Sequence, residues 1–352
     1  MYKQSYPRDP LPYDNLAGFY LTYGHLEKSL ETAREEARLN PESVGGYINL
    51  AKAYRGLNRL DEARATLQTA LQRKIRGWNI PAELFLTGLA LQDTAIQERA
   101  RGLLRSSPEG EMNLTIMEAR LALSRGQFQQ GRMLFAKAKD AAVRLNLPEL
   151  ASDMLAQQAI FDALTGNKKQ AIQSADAALA AAQNAPLTTW DATVALAIAG
   201  REARAQALLQ GLKQKYPDSV DLHVIFGPLV PAWNALNHND AEKALQALRP
   251  GMAYDTLTST PLLFTRATVY LAAAKPDEAR QQFQKIRDLR NLSPEDPVLP
   301  LAVLGQARAY AHLRDVGNAR TAYQDFFALW KAADPDIQIL REAKAEYAKL
   351  HL

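Results

Sequence analysis

The chain has 352 residues, 47% of them hydrophobic, and no cysteine, which excludes a disulfide framework and thiolate chemistry. Lys plus Arg exceed Asp plus Glu by only four (42 − 38), with the signs interspersed; this is not the clustered basic footprint of a nucleic-acid binder. No apolar run approaches the roughly 18 residues of a membrane helix, and the polar, Pro-rich start MYKQSYPRDPLP is not a signal peptide. The expected context is a soluble chain, cytoplasmic or the extracytoplasmic part of a membrane-anchored protein.

Residues 2–12 read like the tail of an earlier helix pair, which implies a fragment of a longer protein. From there the chain divides into helix pairs. The first spans 10–43, with Gly24 at its turn and Leu39-Asn40-Pro41 ending its second helix, since Pro cannot continue it. The second spans 44–77 and turns at Asn58. Tyr13, Leu16, Ala17 and Tyr20 of the first recur 34 residues later as Tyr47, Leu50, Ala51 and Tyr54, and Ser29 recurs as Ala63. The pattern then decays, with turns expected at Gly126, Gly166-Asn167, Gly200 and His238-Asn239. It sharpens again in 260–290 and 299–333, where Tyr270, Ala279 and Phe283 recur as Tyr310, Ala319 and Tyr323. Three prolines in Arg290–Pro300 predict an extended surface loop between these two pairs. A capping helix is expected over 335–350, with Asp334 as N-cap and Pro335 at the first helical position.

The 34-residue spacing, with an aromatic, Leu-Ala, Tyr, and a small residue nine positions after the Tyr, resembles the tetratricopeptide repeat. One such hairpin cannot bury its own apolar face, so pairs must stack. The resemblance implies an all-α, right-handed αα-superhelix, a single solenoid over 1–352 of about nine helix pairs. More narrowly, Asn15–Ser43, Tyr47–Leu71 and the run GQARAYAHLRDVGNARTAYQDFFALWKAADPDIQILREAKAEYAKL resemble the C-terminal repeat region of bacterial eukaryotic-like serine/threonine protein kinases. The kinase phosphate loop, His-Arg-Asp loop and Asp-Phe-Gly ligand are absent from this sequence. The resemblance therefore implies a sensing or docking region without the catalyst.

No catalytic constellation presents itself. The histidines, His25, His223, His238, His312 and His351, lack metal-ligand spacing, so no metal site is expected. Asp334/Asp336 read as capping residues, and Glu35/Glu36 as a solvated helix face with Arg34 and Arg38. Gly45-Gly46 lacks the Lys-Ser/Thr of a phosphate loop and reads as an interhelix turn. Trp78, Trp190, Trp233 and Trp330 read as packing residues. No cofactor is expected.

What remains is a groove lined by stacked first helices. A Lys/Asn carboxylate clamp of the kind some tetratricopeptide proteins carry is matched only at Asn49. Asp14 and Gly18 in the first pair, and Asn79 and Glu83 in the third, depart from it. Asn15, Asn49, Lys52 and Arg55 are the candidate partner-binding residues, with Lys52 and Arg55 either attracting an acidic peptide or forming a plain solvated basic face. The expected function is non-catalytic docking of a protein or peptide, as part of a signalling protein. The alternative is a small-molecule or glycan sensor inside the superhelix.

Overall fold

The computed structural model describes residues 9–181, 185–254 and 256–350; the tail-like segment 2–8 and His351 lie outside them. Among the described residues there are nineteen α-helices and no strand. Eighteen form nine hairpin pairs: α1 Leu11–Thr22 with α2 Leu26–Leu39, α3 Val44–Gly56 with α4 Leu60–Gln72, and α5 Asn79–Ala90 with α6 Thr94–Leu104. Next come α7 Pro108–Ser124 with α8 Phe128–Arg144, α9 Pro148–Leu164 with α10 Lys168–Ala181, and α11 Pro186–Ile198 with α12 Glu202–Lys215. The last are α13 Leu229–Asn237 with α14 Ala241–Leu248, α15 Thr260–Ala272 with α16 Pro276–Asp288, and α17 Val298–His312 with α18 Val316–Leu329. A single helix, α19 Gln338–Lys349, follows. The chain is an all-α solenoid of helix pairs.

One device builds every hairpin. The residue between the helices takes a left-handed φ: Gly24, Asn58, Gln92, Gly126, Gly166, Gly200, Asn239, Ala274 and Arg314, at +53° to +90°. The next N–H then reaches back to the carbonyl five residues earlier, as in His25 to Tyr20 at 2.8 Å and Asp315 to Tyr310 at 3.0 Å. This six-to-one bond satisfies carbonyls orphaned at the end of the first helix. The first four of these residues fall 34 apart, so the rhythm locates the turn at Gln92 where residue type does not. Ala274 is exposed and adopts +53°, a conformation that crowds a Cβ. Ala274→Gly is therefore expected to stabilise the fold by about 0.5–1 kcal/mol, read as a raised urea midpoint at unchanged slope.

Small residues let the paired helices approach. Ser29 is fully buried and donates to the Ala17 carbonyl at 2.8 Å, and Ala63, Ala171, Ala205, Ala244, Ala279 and Ala319 are likewise sealed. The described residues divide into two compact bodies. The first holds α1–α6 and the start of α7, together with Thr256–Ser259 and Asp288–Asp296; the second holds the remainder.

Three expectations are corrected. The Pro-rich segment is not an exposed loop: Leu289–Asn291 form a 3-10 turn, Glu295 and Asp296 are buried, and α17 already begins at Val298. Its backbone is held by the first body, as described below. Asp334 does not cap α19, whose N-cap Ile337 makes no side-chain capping bond. Instead its carboxylate accepts from the Gln129 N–H at 2.9 Å, capping α8 from a distance, while its own N–H donates to the Gly126 carbonyl at 3.0 Å. Glu36 does not face solvent: Glu35 pairs with Arg38 at 2.7 Å, but Glu36 is buried and accepts from the Ser43 hydroxyl at 2.6 Å. Burial pushes its carboxyl above the usual range, partly offset by Ser43.

Candidate docking cleft

The sequence-nominated residues separate in the structure. Asn15 is exposed on α1. Asn49 is buried and donates to both the side chain and the carbonyl of Asp14, at 2.6 and 3.2 Å. Gly45 and Gly46 lie in the first turn of α3 rather than in an interhelix turn, and a Cβ at Gly45 would stand 2.4 Å from Asp14 Oδ1, so the carboxylate would have to shift. The start of α3 thus meets the chain's own carboxylates where a phosphate loop would hold an anion. Lys52 is partly exposed, 3.4 Å from the Glu83 carboxylate. Arg55 is 1% exposed and lies on neither a solvated face nor an open groove. Its Nη1 sits 2.7 Å from Glu83, while Nε and Nη2 donate to the carbonyls of Asn291 and Leu292, both at 3.2 Å. Asn291 in turn donates to Asn58 at 2.6 Å. The chain's own segment therefore covers this part of the first body.

An open cleft exists instead in the second body. Its polar half, about 320 Å³, is lined by Gln129, Arg132, Asn167, Asp334, Asp336 and Arg341. Its apolar half, about 280 Å³, is lined by Trp233, Phe264, Leu271, Phe283, Leu301 and Ile339. Thr165, Gly166 and Gln338 line both, and Gln338 packs against Gly166, where a Cβ would stand 2.9 Å from its Oε1, so the two halves adjoin across this contact. The first helices α9, α11, α13, α15 and α17 all contribute to the apolar half, and α19 closes one side.

The polar groups around it are fixed from within. Arg132 pairs with Asp162 at 2.8 Å; burial nonetheless pushes the Asp162 carboxyl up to about 6, against the pull of Arg132 and Asn167. Trp233 Nε1 donates to Thr265 Oγ1 at 3.0 Å, and its half-buried ring packs on the core with one edge lining the cleft. Arg308 grips Glu346 with two bonds, at 3.0 and 2.9 Å, and Tyr323 donates to the same carboxylate at 2.8 Å. Burial would raise Glu346, but these donors hold it below the usual carboxylate range.

Residues 44–74 match the tetratricopeptide repeat family. No curated protein matches the chain. Among solved structures, yeast Tom70 is similar with a TM-score of 0.39 at 14% identity, covering 97% of this chain and 89% of that one. The Cut9–Hcn1 hetero-tetramer of the APC/C gives 0.42 at 16% identity, covering 93% and 60%.

The register of the matched tetratricopeptide repeat shows what residue type concealed. Lys52 stands six residues before its left-handed turn residue (58 − 6). Trp233, Thr268 and Arg308 stand six before theirs (239 − 6, 274 − 6, 314 − 6), and all three line the cleft. Trp233 reads as a packing residue in the sequence because an aromatic at helical spacing is ordinarily core, and its ring does pack on the core clusters that hold Ala195 and Val194. Counting back six from Asn239 would also have placed its exposed edge on the groove. Trp330, by contrast, is buried: it meets Phe128 edge-on and donates to the Ser124 carbonyl at 3.1 Å. Among the described residues no three His, Cys, Asp or Glu side chains gather to hold a metal, and no helix is long and apolar enough to cross a membrane.

Proposed function

We propose that this chain is a non-catalytic docking scaffold that takes a segment of a partner protein along the cleft of the second body. The observation that carries this reading is the adjoining of an apolar recess and a polar one, both open to solvent. Protein segments bind through buried apolar anchors flanked by polar contacts that select among partners. Trp233, Phe264 and Leu271 supply the first, and Asn167, Arg132 and Gln129 the second. The resemblance of Asn15–Ser43, Tyr47–Leu71 and the closing run to kinase-linked repeat regions supports placing the scaffold in a signalling protein. The aromatic cluster of Trp233, Phe264 and Phe283 favours a second reading, a small-molecule or glycan sensor.

Thr268 is half-buried on the cleft wall, so Thr268→Arg fills the floor without opening the core. Partner capture is expected to fall at least tenfold with Thr268→Arg and to persist with Lys52→Glu, both variants keeping wild-type helicity. The opposite pattern would move docking to the first body. A ligand-induced rise in melting temperature from small sugars or metabolites, lost in Thr268→Arg, would favour the sensor.

A further inference from the structure

The cleft is already part-filled by the chain itself. α19 lays Ile339 along the apolar half and Gln338 along both halves, and Arg308 receives Glu346 in its two-bonded grip with Glu342 at 3.7 Å. The occupant fits loosely at its first turn. Only Ile339, Leu340 and Ala343 of its twelve residues are buried, and cavities of about 320 and 280 Å³ flank its first turn. Its N-terminus lacks a side-chain cap because Asp334 caps α8 instead. Its second half is anchored by Tyr347, edge-on to Tyr323 and Phe327 and accepting from Gln324 at 3.1 Å, so the uncapped first turn between the two cavities is the end placed to open first.

We propose that α19 is a self-docked stand-in for the partner. The partner segment is an amphipathic helix of the same chemistry: adjoining aliphatic residues at i and i+1, a small residue at i+4, and acidic residues at i+3 and i+7 that take Arg308 and Tyr323. These are the positions of Ile339, Leu340, Ala343, Glu342 and Glu346. The partner binds by displacing α19, so the tethered helix sets the threshold for docking. Charge complementarity selects it, since Arg308 is left without its two-bonded carboxylate when α19 departs. The proposal rests on the docking reading above.

The test uses the full chain and a fluorescent synthetic peptide of residues 334–350. A variant with Ile339→Asp and Leu340→Asp weakens the resident helix and leaves the receiving surface intact. Its anisotropy titration is expected to give a dissociation constant at least tenfold lower than that of the wild-type chain. Adding Arg308→Glu is expected to abolish the binding. A folded variant that ignores the peptide overturns the proposal. So does a concentration-dependent dimer that excludes the peptide, which would give the slot to α19 of a second copy. Should the variant unfold, hydrogen exchange on the wild-type chain decides: α19 amides are expected to exchange at least a hundredfold faster than those of α17, and equal rates overturn the proposal. If Thr268→Arg abolishes partner capture while the peptide never binds, docking stands and the α19 assignment alone falls.

Discussion

Arg55→Ala is expected to lower stability by about 3–5 kcal/mol, because it strands a buried charge. The guanidinium is sealed, paired with Glu83 at 2.7 Å, and donates to the carbonyls of Glu83, Asn291 and Leu292. Its removal leaves the Glu83 carboxylate with Lys52 alone, at 3.4 Å. Burial on its own would push Glu83 up; attraction to Arg55, and then to Lys52, reverses this and holds it below 4.5. A depressed carboxylate contributes stability that is fully present above its unfolded value and is lost as the pH falls through the lower folded one. Urea denaturation at pH 7 measures the effect, and Arg55→Ala with Glu83→Ala is expected to cost less than the sum of the singles. A loss below about 1 kcal/mol for Arg55→Ala would mean that the Asn291–Leu292 carbonyls and Glu83 find water in its place.

Asp191→Asn is expected to act in the opposite direction, stabilising the second body by roughly 2–4 kcal/mol at pH 8. Asp191 lies on α11, beside Asp153 of α9 and within reach of the Arg120 charge of α7. Burial raises its carboxyl most, Asp153 raises it further, and Arg120 only partly compensates, leaving it at about 7. Gln157 bridges Asp153 and Arg120, at 2.7 and 3.3 Å. For a carboxyl raised from 3.8, the favourable protonated form is present below 3.8 and is lost as the pH rises through about 7. The wild type should therefore weaken between pH 4 and 7 by more than the Asn variant, and the two should converge near pH 4. Parallel curves across that window would show Asp191 to be solvated and ordinary.

The fold was legible in the sequence because its period is set by backbone chemistry. Tyr13, Tyr20, Tyr47 and Tyr54 mark first helices, and Gly24, Asn58, Gly126 and Gly200 mark left-handed turns, types that hardly any other position demands. Gln92, Ala274 and Arg314 take the same conformation without advertising it, so only the rhythm reveals those turns. The candidate cleft was far less legible. Arg55 looks like a groove cation, yet the partner of a buried charge comes from Asn291 and Leu292, 236 and 237 residues away, and no local pattern encodes that pairing. The prolines of Arg290–Pro300 signal only that no helix runs through them, not that the segment is buried. Asp334 misleads in the same way: Asp-Pro-Asp is a good local cap, but its carboxylate serves α8.

Docking in the second body is tested most directly by a photoreactive amino acid placed singly at Leu271 in the cleft and at Lys52 in the first body. Partner adducts are expected from Leu271, suppressed by Thr268→Arg, and absent from Lys52. Adducts at Lys52 without any at Leu271 would contradict the account.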